Sequence, residues 1–367
     1  MHWFNIGRSA SNSIFDFPSK AVFLLLALIG ICSTAFSVTD FPANPVGRVP
    51  RDSDPTPNTI TLDAGPRVIK GANVFFMADF TYWYARQEGL GFSQSGYLSE
   101  GFGPKTGRVQ DLDFGYTPGF KVGAGLNLRE DSWDALAQYT WSYHKASRSR
   151  SARKTGSLHP TWFILDQYNI NTDLLNARGN WDLHFNVVDI EFGRNFFVSK
   201  YAALRPFVGF KGTWQKQDYH VRYVREGSQR ANMFIDEEYW AIGGRFGLNT
   251  SWFINPTWSI YGDGAVSLLW GQFKITRKDS LSENLTAPFD VVMDLVNDFH
   301  SIKGVVEFGA GLRFDDWTYD YRYHFRLQIG WEQQIWLSHN QYVRTFEECA
   351  HGDLIFQGVV IKGRFDF

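Results

Sequence analysis

Asp353-Leu354-Ile355-Phe356-Gln357-Gly358-Val359-Val360-Ile361-Lys362-Gly363-Arg364-Phe365-Asp366-Phe367 is the stretch that decides how this chain is read. Successive side chains of an extended strand point to opposite sides. Phe367, Phe365, Gly363, Ile361, Val359, Gln357 and Ile355 therefore share one face, and Asp366, Arg364, Lys362, Val360, Gly358 and Phe356 the other. One face is mostly apolar and the other ends in charge, which predicts a half-buried antiparallel strand. Aromatic residues at the last and third-last positions match the closing strand of a barrel whose rings sit in an aromatic girdle. Phe365 and Phe367 are thus read as a terminal insertion signal for a barrel-assembly machinery.

Composition agrees with strands. The 367 residues include 33 Phe, 16 Tyr, 14 Trp and 34 Gly against 4 Met and 2 Cys, and mean hydropathy is negative. This describes neither a helical membrane protein nor a typical soluble enzyme. With 36 basic and 38 acidic residues the net charge is -2, which leaves no global field for a nucleic acid. Residues 1–37 read as a cleaved export signal. Arg8 and Lys20 supply positive charge, Ala21 to Ile31 is unbroken and apolar, and Ala35-Phe36-Ser37 offers a cleavage site. That run falls short of the roughly 20 residues needed to span a bilayer. After cleavage only Cys349 would remain, so no internal disulfide is expected. Residues 38–72, with Pro42, Pro45, Pro50, Pro55, Pro57 and Pro66, read as a periplasmic linker or strap.

From 73 to 367 one unit recurs: an alternating run, a short turn, another run, a long polar segment. Phe76, Ala78, Phe80, Tyr82 and Tyr84 open it; Phe120, Val122, Ala124, Leu126 and Leu128 follow, then Trp133 to Tyr143. In the fourth run Trp181, Leu183, Phe185 and Val187 hold the apolar face until Val188, Ile190 and Phe192 take it over, which fits a one-residue bulge near Val187. Further runs begin near Leu204, Trp240, Trp258, Val306 and Tyr321, and the terminal strand makes ten. Short turns are expected near 129–132, 197–201, 254–257 and 315–319, and long loops near 86–114, 145–180, 216–238, 275–301 and 337–352. Trp240 with Trp252 and Trp258 with Trp270 place aromatics at both ends of one face, an aromatic-belt pattern. The expected fold is all-β: an antiparallel transmembrane β-barrel of ten strands, twelve being the alternative count, with short periplasmic turns and long extracellular loops. Lipid exposure of Phe80 and Leu126 tests it. An exported soluble barrel or sandwich is the competing architecture.

Phe76 to Trp83, Pro118-Gly119-Phe120-Lys121-Val122-Gly123, Trp133-Asp134 after an acidic turn, and Leu204-Arg205-Pro206-Phe207-Val208-Gly209 together resemble the Legionella-type major outer-membrane proteins and the similar porin-like proteins of environmental chlamydiae. The resemblance runs from about 73 to 367. It implies a pore-forming barrel in the outer membrane of a Gram-negative-type bacterium, and it brings no catalytic residues. The lone Cys349 departs from the cysteine-rich chlamydial porins and puts a cross-linked envelope role in doubt.

The inward face carries the functional expectation. Lys121, Arg205, Lys211, Arg245, Asp263, Glu307, Arg313, Arg322, Arg326 and Glu332 are expected to line a pore, because such charges are costly in hydrocarbon and must meet water or one another. Ten strands lie near the width that side chains just fill, so a salt-bridged filling competes with an open lumen. Inward glycines, among them Gly243, Gly247, Gly309 and Gly330, favour open space. The expected activity is passive passage of small hydrophilic solutes or ions. Two other classes stand beside it: a closed barrel acting as a structural or adhesive surface protein through its loops, and an omptin-like rim hydrolase using His144, His184 and Asp182. In the second loop, Lys145, Arg148, Arg150, Arg153 and Lys154 offer a surface for lipopolysaccharide phosphates, and Ile164 to Leu175 reads as a constriction or short helix. No cofactor, metal or nucleotide motif is present, outer-membrane lipid is the expected partner, and the sequence does not set an oligomeric state.

Overall fold

The computed structural model describes residues 64–66, 68, 73–98, 104–128, 132–154, 157–162, 174–199, 201–225, 229–284, 286–318, 322–344 and 352–367. The export signal, nearly all of the strap, most of the Ile164–Leu175 stretch and Cys349 lie outside these residues. The strands are β1 (Val74–Gln87), β2 (Ser93–Leu98), β3 (Pro104–Gln110), β4 (Tyr116–Asn127), β5 (Trp133–Ser151), β6 (Leu158–Pro160), β7 (Leu174–Arg194), β8 (Phe196–Ser199), β9 (Ala202–Arg225), β10 (Arg230–Phe253), β11 (Trp258–Ser282), β12 (Asp290–Thr318), β13 (Tyr323–Trp336) and β14 (Leu354–Asp366).

Ten of them close a ring in the order β1-β4-β5-β7-β9-β10-β11-β12-β13-β14, every neighbour antiparallel, and β14 returns to β1 with Phe80 opposite Ile361. Alternation brings this about. Each run has one apolar face that must leave water and one polar face that must keep polar partners, and closure removes every sheet edge. On the outside Phe80 is 50% exposed, and Phe246 and Leu268 stand as open as it does; Leu126 is half-buried. Trp133 stacks on Phe192 at 4.7 Å and Trp258 meets Phe314 at 5.2 Å at the turn end, while Trp240 and Trp270 pair at 6.1 Å at the other limit of the band. Phe246 lies midway between Trp240 and Trp252 on β10. Phe246→Arg is expected to lower stability by about 2–4 kcal/mol, the cost of a cation facing mid-bilayer lipid, whereas Thr276→Arg, outward on β11 beyond Trp270, should stay within about 0.5 kcal/mol. The urea midpoint of the folded, faster-migrating gel band reads both.

Three expectations need correction. The segments 216–238 and 275–301 are largely strand: 216–225, 230–238, 275–282 and 290–301 all belong to the wall. β9 and β10 each run 24 residues, β11 25 and β12 29, against the 9–11 that cross a bilayer. There is also no bulge at Val187, since β7 keeps unbroken register from Asn176 to Gly193 against β9. What changes is polarity: the inward face carries Ala177, Trp181, Leu183, Phe185 and Val187, then Asp189 and Glu191, while the outward face passes from Arg178 and Asp182 to Ile190 and Phe192. Beyond the lipid the wall becomes a water-soluble one, apolar inside and polar outside, so continued strand looks like polar loop in sequence. Asp182 accordingly faces outward beside Lys145 (3.7 Å). Finally, β12 continues to Thr318 and β13 starts at Tyr323, so residues 315–318 of the expected 315–319 turn are strand, and residues 197–199 of the expected 197–201 turn belong to β8, paired on β9. The 254–257 turn is as expected, with Asn255 Oδ1 accepting from the Thr257 and Trp258 amides.

Candidate functional site

The barrel interior has two storeys. In the lipid-spanning storey, inward charges form a connected lattice. Lys211 Nζ lies 2.8 Å from both Asp189 and Glu307. Arg245 reaches Glu307 at 2.5 Å and also binds Glu191. Arg205 joins Glu191 at 2.8 Å to Asp134 at 2.5 Å. Across the lumen Lys121 pairs with Glu332 at 2.5 Å and Lys362 with Asp263 at 3.0 Å. At the turn end Arg326 meets Asp315 at 2.7 Å, Arg364 meets Asp366 at 2.6 Å, and His324 sits between those two carboxylates at 3.0 and 2.7 Å. Arg313 donates to Ser251. Burial makes the pairing obligatory: the Lys211 side chain is 1% exposed, and an unpaired charge at such depth costs several kcal/mol.

Nine of the ten residues expected to line a pore thus converge on one interior. Arg322 does not: it is exposed in the turn before β13, because that hairpin turns later than its alternation suggests. Phe365 faces outward, 42% exposed, stacked on Tyr323 at 5.7 Å and on Phe367 at 6.0 Å. Ala64, from the end of the strap, packs with Ala203 and Phe253 at the turn end. Inward glycines do not open the lumen as expected. A Cβ at Gly247 would run into the Phe207 ring, one at Gly125 into Phe75, and one at Gly330 into the Tyr261 hydroxyl. These rings occupy the space the glycines leave and also receive cations, with Arg245 5.0 Å and Arg205 5.3 Å from the Phe207 centroid. A cavity of about 160 Å³ persists among Asp79, Lys121, Arg205, Arg245, Asp263 and Lys362, polar and roomy enough for water.

The outer storey is apolar and closed. Trp83, Phe185, Phe356 and Trp336 pack in the lumen, Phe185 lying 4.4 Å from Phe356 and 5.5 Å from Trp336. Loop residues complete it. Tyr342 stacks on Tyr219 at 5.8 Å, and Trp162 meets the same ring at 5.5 Å. Fully buried Arg277 donates to the Val343 carbonyl at 2.8 Å and the Trp162 carbonyl at 3.1 Å, and pairs with Asp279 at 2.7 Å, so one guanidinium pins two inserted segments. Gln217 is a second hub. It donates to Glu237 at 2.9 Å and accepts from Trp181 Nε1 at 2.9 Å, with His339 at 3.3 Å. Glu237 lies three residues beyond the Trp240 belt, where burial pushes its carboxyl up to about 8; burial also pulls the His339 imidazole down to about 3. Glu237 Oε2, His339 Nε2 and Trp336 Nε1 have no hydrogen-bond partner among the described residues. Sequence reading missed this storey because Trp162, Gln217, Tyr219, Glu237, Arg277 and Tyr342 lie in stretches taken as loops, while Trp83, Trp181, Phe185 and Phe356 read as ordinary parts of membrane-spanning runs.

The rim histidines do not converge. His144 is inward and buried, bonded to Thr117 Oγ1 at 2.5 Å, whereas His184 is outward and stacked on Tyr143 at 4.4 Å.

An antiparallel ring of ten strands with an apolar outer band, aromatic belts and a charged interior defines a barrel of the bacterial outer-membrane class. The chain belongs to the family described as the Legionella pneumophila major outer membrane protein precursor, whose family model matches residues 74–367. The resemblance carried by the strand motifs therefore holds. No curated protein matches the sequence. Among solved structures it is similar to the outer membrane protease OmpT from Escherichia coli, at 12% identity over 80% of this chain and 96% of that one with a TM-score of 0.38. The toluene transporter TodX of P. putida matches at 9% over 80% and 90%, with a TM-score of 0.30. A FadL homologue of Pseudomonas aeruginosa matches at 7% over 80% and 89%, with a TM-score of 0.24.

Proposed function

We propose that this protein is a narrow outer-membrane channel for small hydrophilic solutes or ions, closed in the conformation described here and opened by withdrawal of segment 337–344 from the outer storey. The charged, water-sized cavity at membrane depth carries this reading. A barrel that needed only to be sealed would gain by filling that volume with apolar side chains, since buried ion pairs seldom outperform them. The seal between this plug and the wall leaves His339 Nε2, Glu237 Oε2 and Trp336 Nε1 unsatisfied among the described residues, which lowers the cost of moving it. No catalysis is part of this reading. A second one, a permanently closed barrel acting through its surface, is favoured by the rings that fill the glycine spaces and the continuous aromatic packing.

Planar-bilayer conductance separates the two. The refolded protein is expected to give rare, small steps, and deletion of residues 339–343 should raise open probability by about tenfold or more. Charge reversal at Lys121 should then shift the ion preference of the open state. Silence from both proteins, each verified as folded and inserted, would overturn the channel and leave the closed barrel.

A further inference from the structure

Apart from the barrel wall, β2, β3 and β6 form a separate three-stranded sheet beside the outer end of β5. Between this cap and β5 lies a cleft of about 760 Å³ whose lining includes Arg108, Arg148, Arg150, Arg153 and Lys154 and, among the described residues, no carboxylate. Among the described residues Arg148 alone of these five has an ion pair, with Asp113 at 3.4 Å. Five cations from two separate elements facing one space repel one another, a cost that an anion in their midst removes.

The walls are built rather than incidental. His159, buried, bonds to the Gly96 carbonyl at 3.0 Å and ties β6 to β2. Gln110 donates to the Arg108 carbonyl at 3.2 Å and Ser95 Oγ donates to the same oxygen at 3.3 Å, which fixes the backbone that presents Arg108. A side chain at Gly107 would collide with the Ser95 carbonyl, so the β2–β3 hairpin closes tightly here.

We infer that this cleft binds a multiply phosphorylated saccharide or similar polyphosphate. Guanidinium groups match phosphate oxygens two at a time, and the volume suits a ring bearing several phosphates better than one inorganic ion. Height narrows the source. Arg150 stands seven residues beyond Tyr143, the last outward aromatic of β5, about 18 Å above it at ~3.3 Å per residue and a strand tilt near 40°. Headgroup phosphates lie too low, so the ligand is a phosphate on an outer sugar or a soluble one. This inference does not rest on the channel reading.

The test is calorimetric titration of inositol hexakisphosphate into the refolded full chain in neutral-detergent micelles at low salt. One saturable site is expected, weakened about tenfold or more by Arg108→Gln with Arg150→Gln, and unchanged by Lys274→Gln with Lys278→Gln on the outward face of β11. Equal affinity in the Arg108/Arg150 variant, or no saturable binding by the unaltered protein, would overturn it. Parallel titration of lipopolysaccharide with intact and with dephosphorylated core sugars assigns the source: binding of the intact form alone makes the core the ligand, and binding of neither, with the inositol phosphate bound, makes it a soluble one.

Discussion

Arg245→Leu is expected to destabilise the barrel by about 3–5 kcal/mol, because it strips a shared cation from buried carboxylates without removing their charge. Arg245 bridges Glu307 and Glu191 and lies 3.6 Å from Asp189. The double variant Arg245→Leu, Glu307→Leu should recover most of the loss. It leaves Lys211 with Asp189 and Arg205 with Glu191 and Asp134, pairs that each keep their own geometry. Urea titration of the folded gel band measures all three proteins. Equal losses in the single and double variants would show that the guanidinium contributes packing alone.

A second large effect concerns pH and the outer storey. Withdrawal of segment 337–344 wets both Glu237 and His339, which lie 3.8 Å apart. Glu237 holds its proton up to about 8 in the closed state against a usual 4.5, so closure weakens as pH rises between those values. His339 stays neutral down to about 3 against a usual 6.5, so closure weakens as pH falls through that window. Each slope is about 1.4 kcal/mol per pH unit. They oppose and cancel from 4.5 to 6.5, and each acts alone outside it. Lys303, whose charge lowers both groups, shifts the windows without changing their signs. The protection of the 337–344 amides relative to their intrinsic exchange rates should therefore be greatest and flat between 4.5 and 6.5, with about 2 kcal/mol of it lost by pH 8. Glu237→Gln should abolish the alkaline arm and keep the acid one. Protection that rises from 6.5 to 8 would contradict this account.

Much of the lipid-spanning storey was legible in the sequence. Alternation about Phe80, Phe246 and Ile361 marks which face meets lipid, and the charges opposite it had to be inward for the same reason. Partnership was not legible: nothing in the spacing of Lys211, Asp189 and Glu307 joins them, since strand order and shear bring them together across three strands. Arg322 was misplaced because alternation continues smoothly through a turn whose position depends on backbone closure. The outer storey was misread for a more general reason. Tyr219, Val221 and Tyr223 alternate with His220 and Arg222 as regularly as any membrane strand, yet polarity alone cannot say which side is wet. Read with lipid outside, they look like loop; read with water outside, they are the wall of a soluble core.

That reversal of polarity along a single strand has a consequence for how the barrel assembles. In a strand with one uniform amphipathic stripe, a one-residue slip misplaces side chains everywhere in the same sense. Here a slip of β7 would turn Asp189 and Glu191 toward hydrocarbon at one end and Trp181 and Phe185 toward solvent at the other. Neither error compensates the other, and they arise in different media, one during insertion and one after the outer tip has emerged. Each long strand is thus checked twice for alignment with its neighbours, first by the bilayer and then by water.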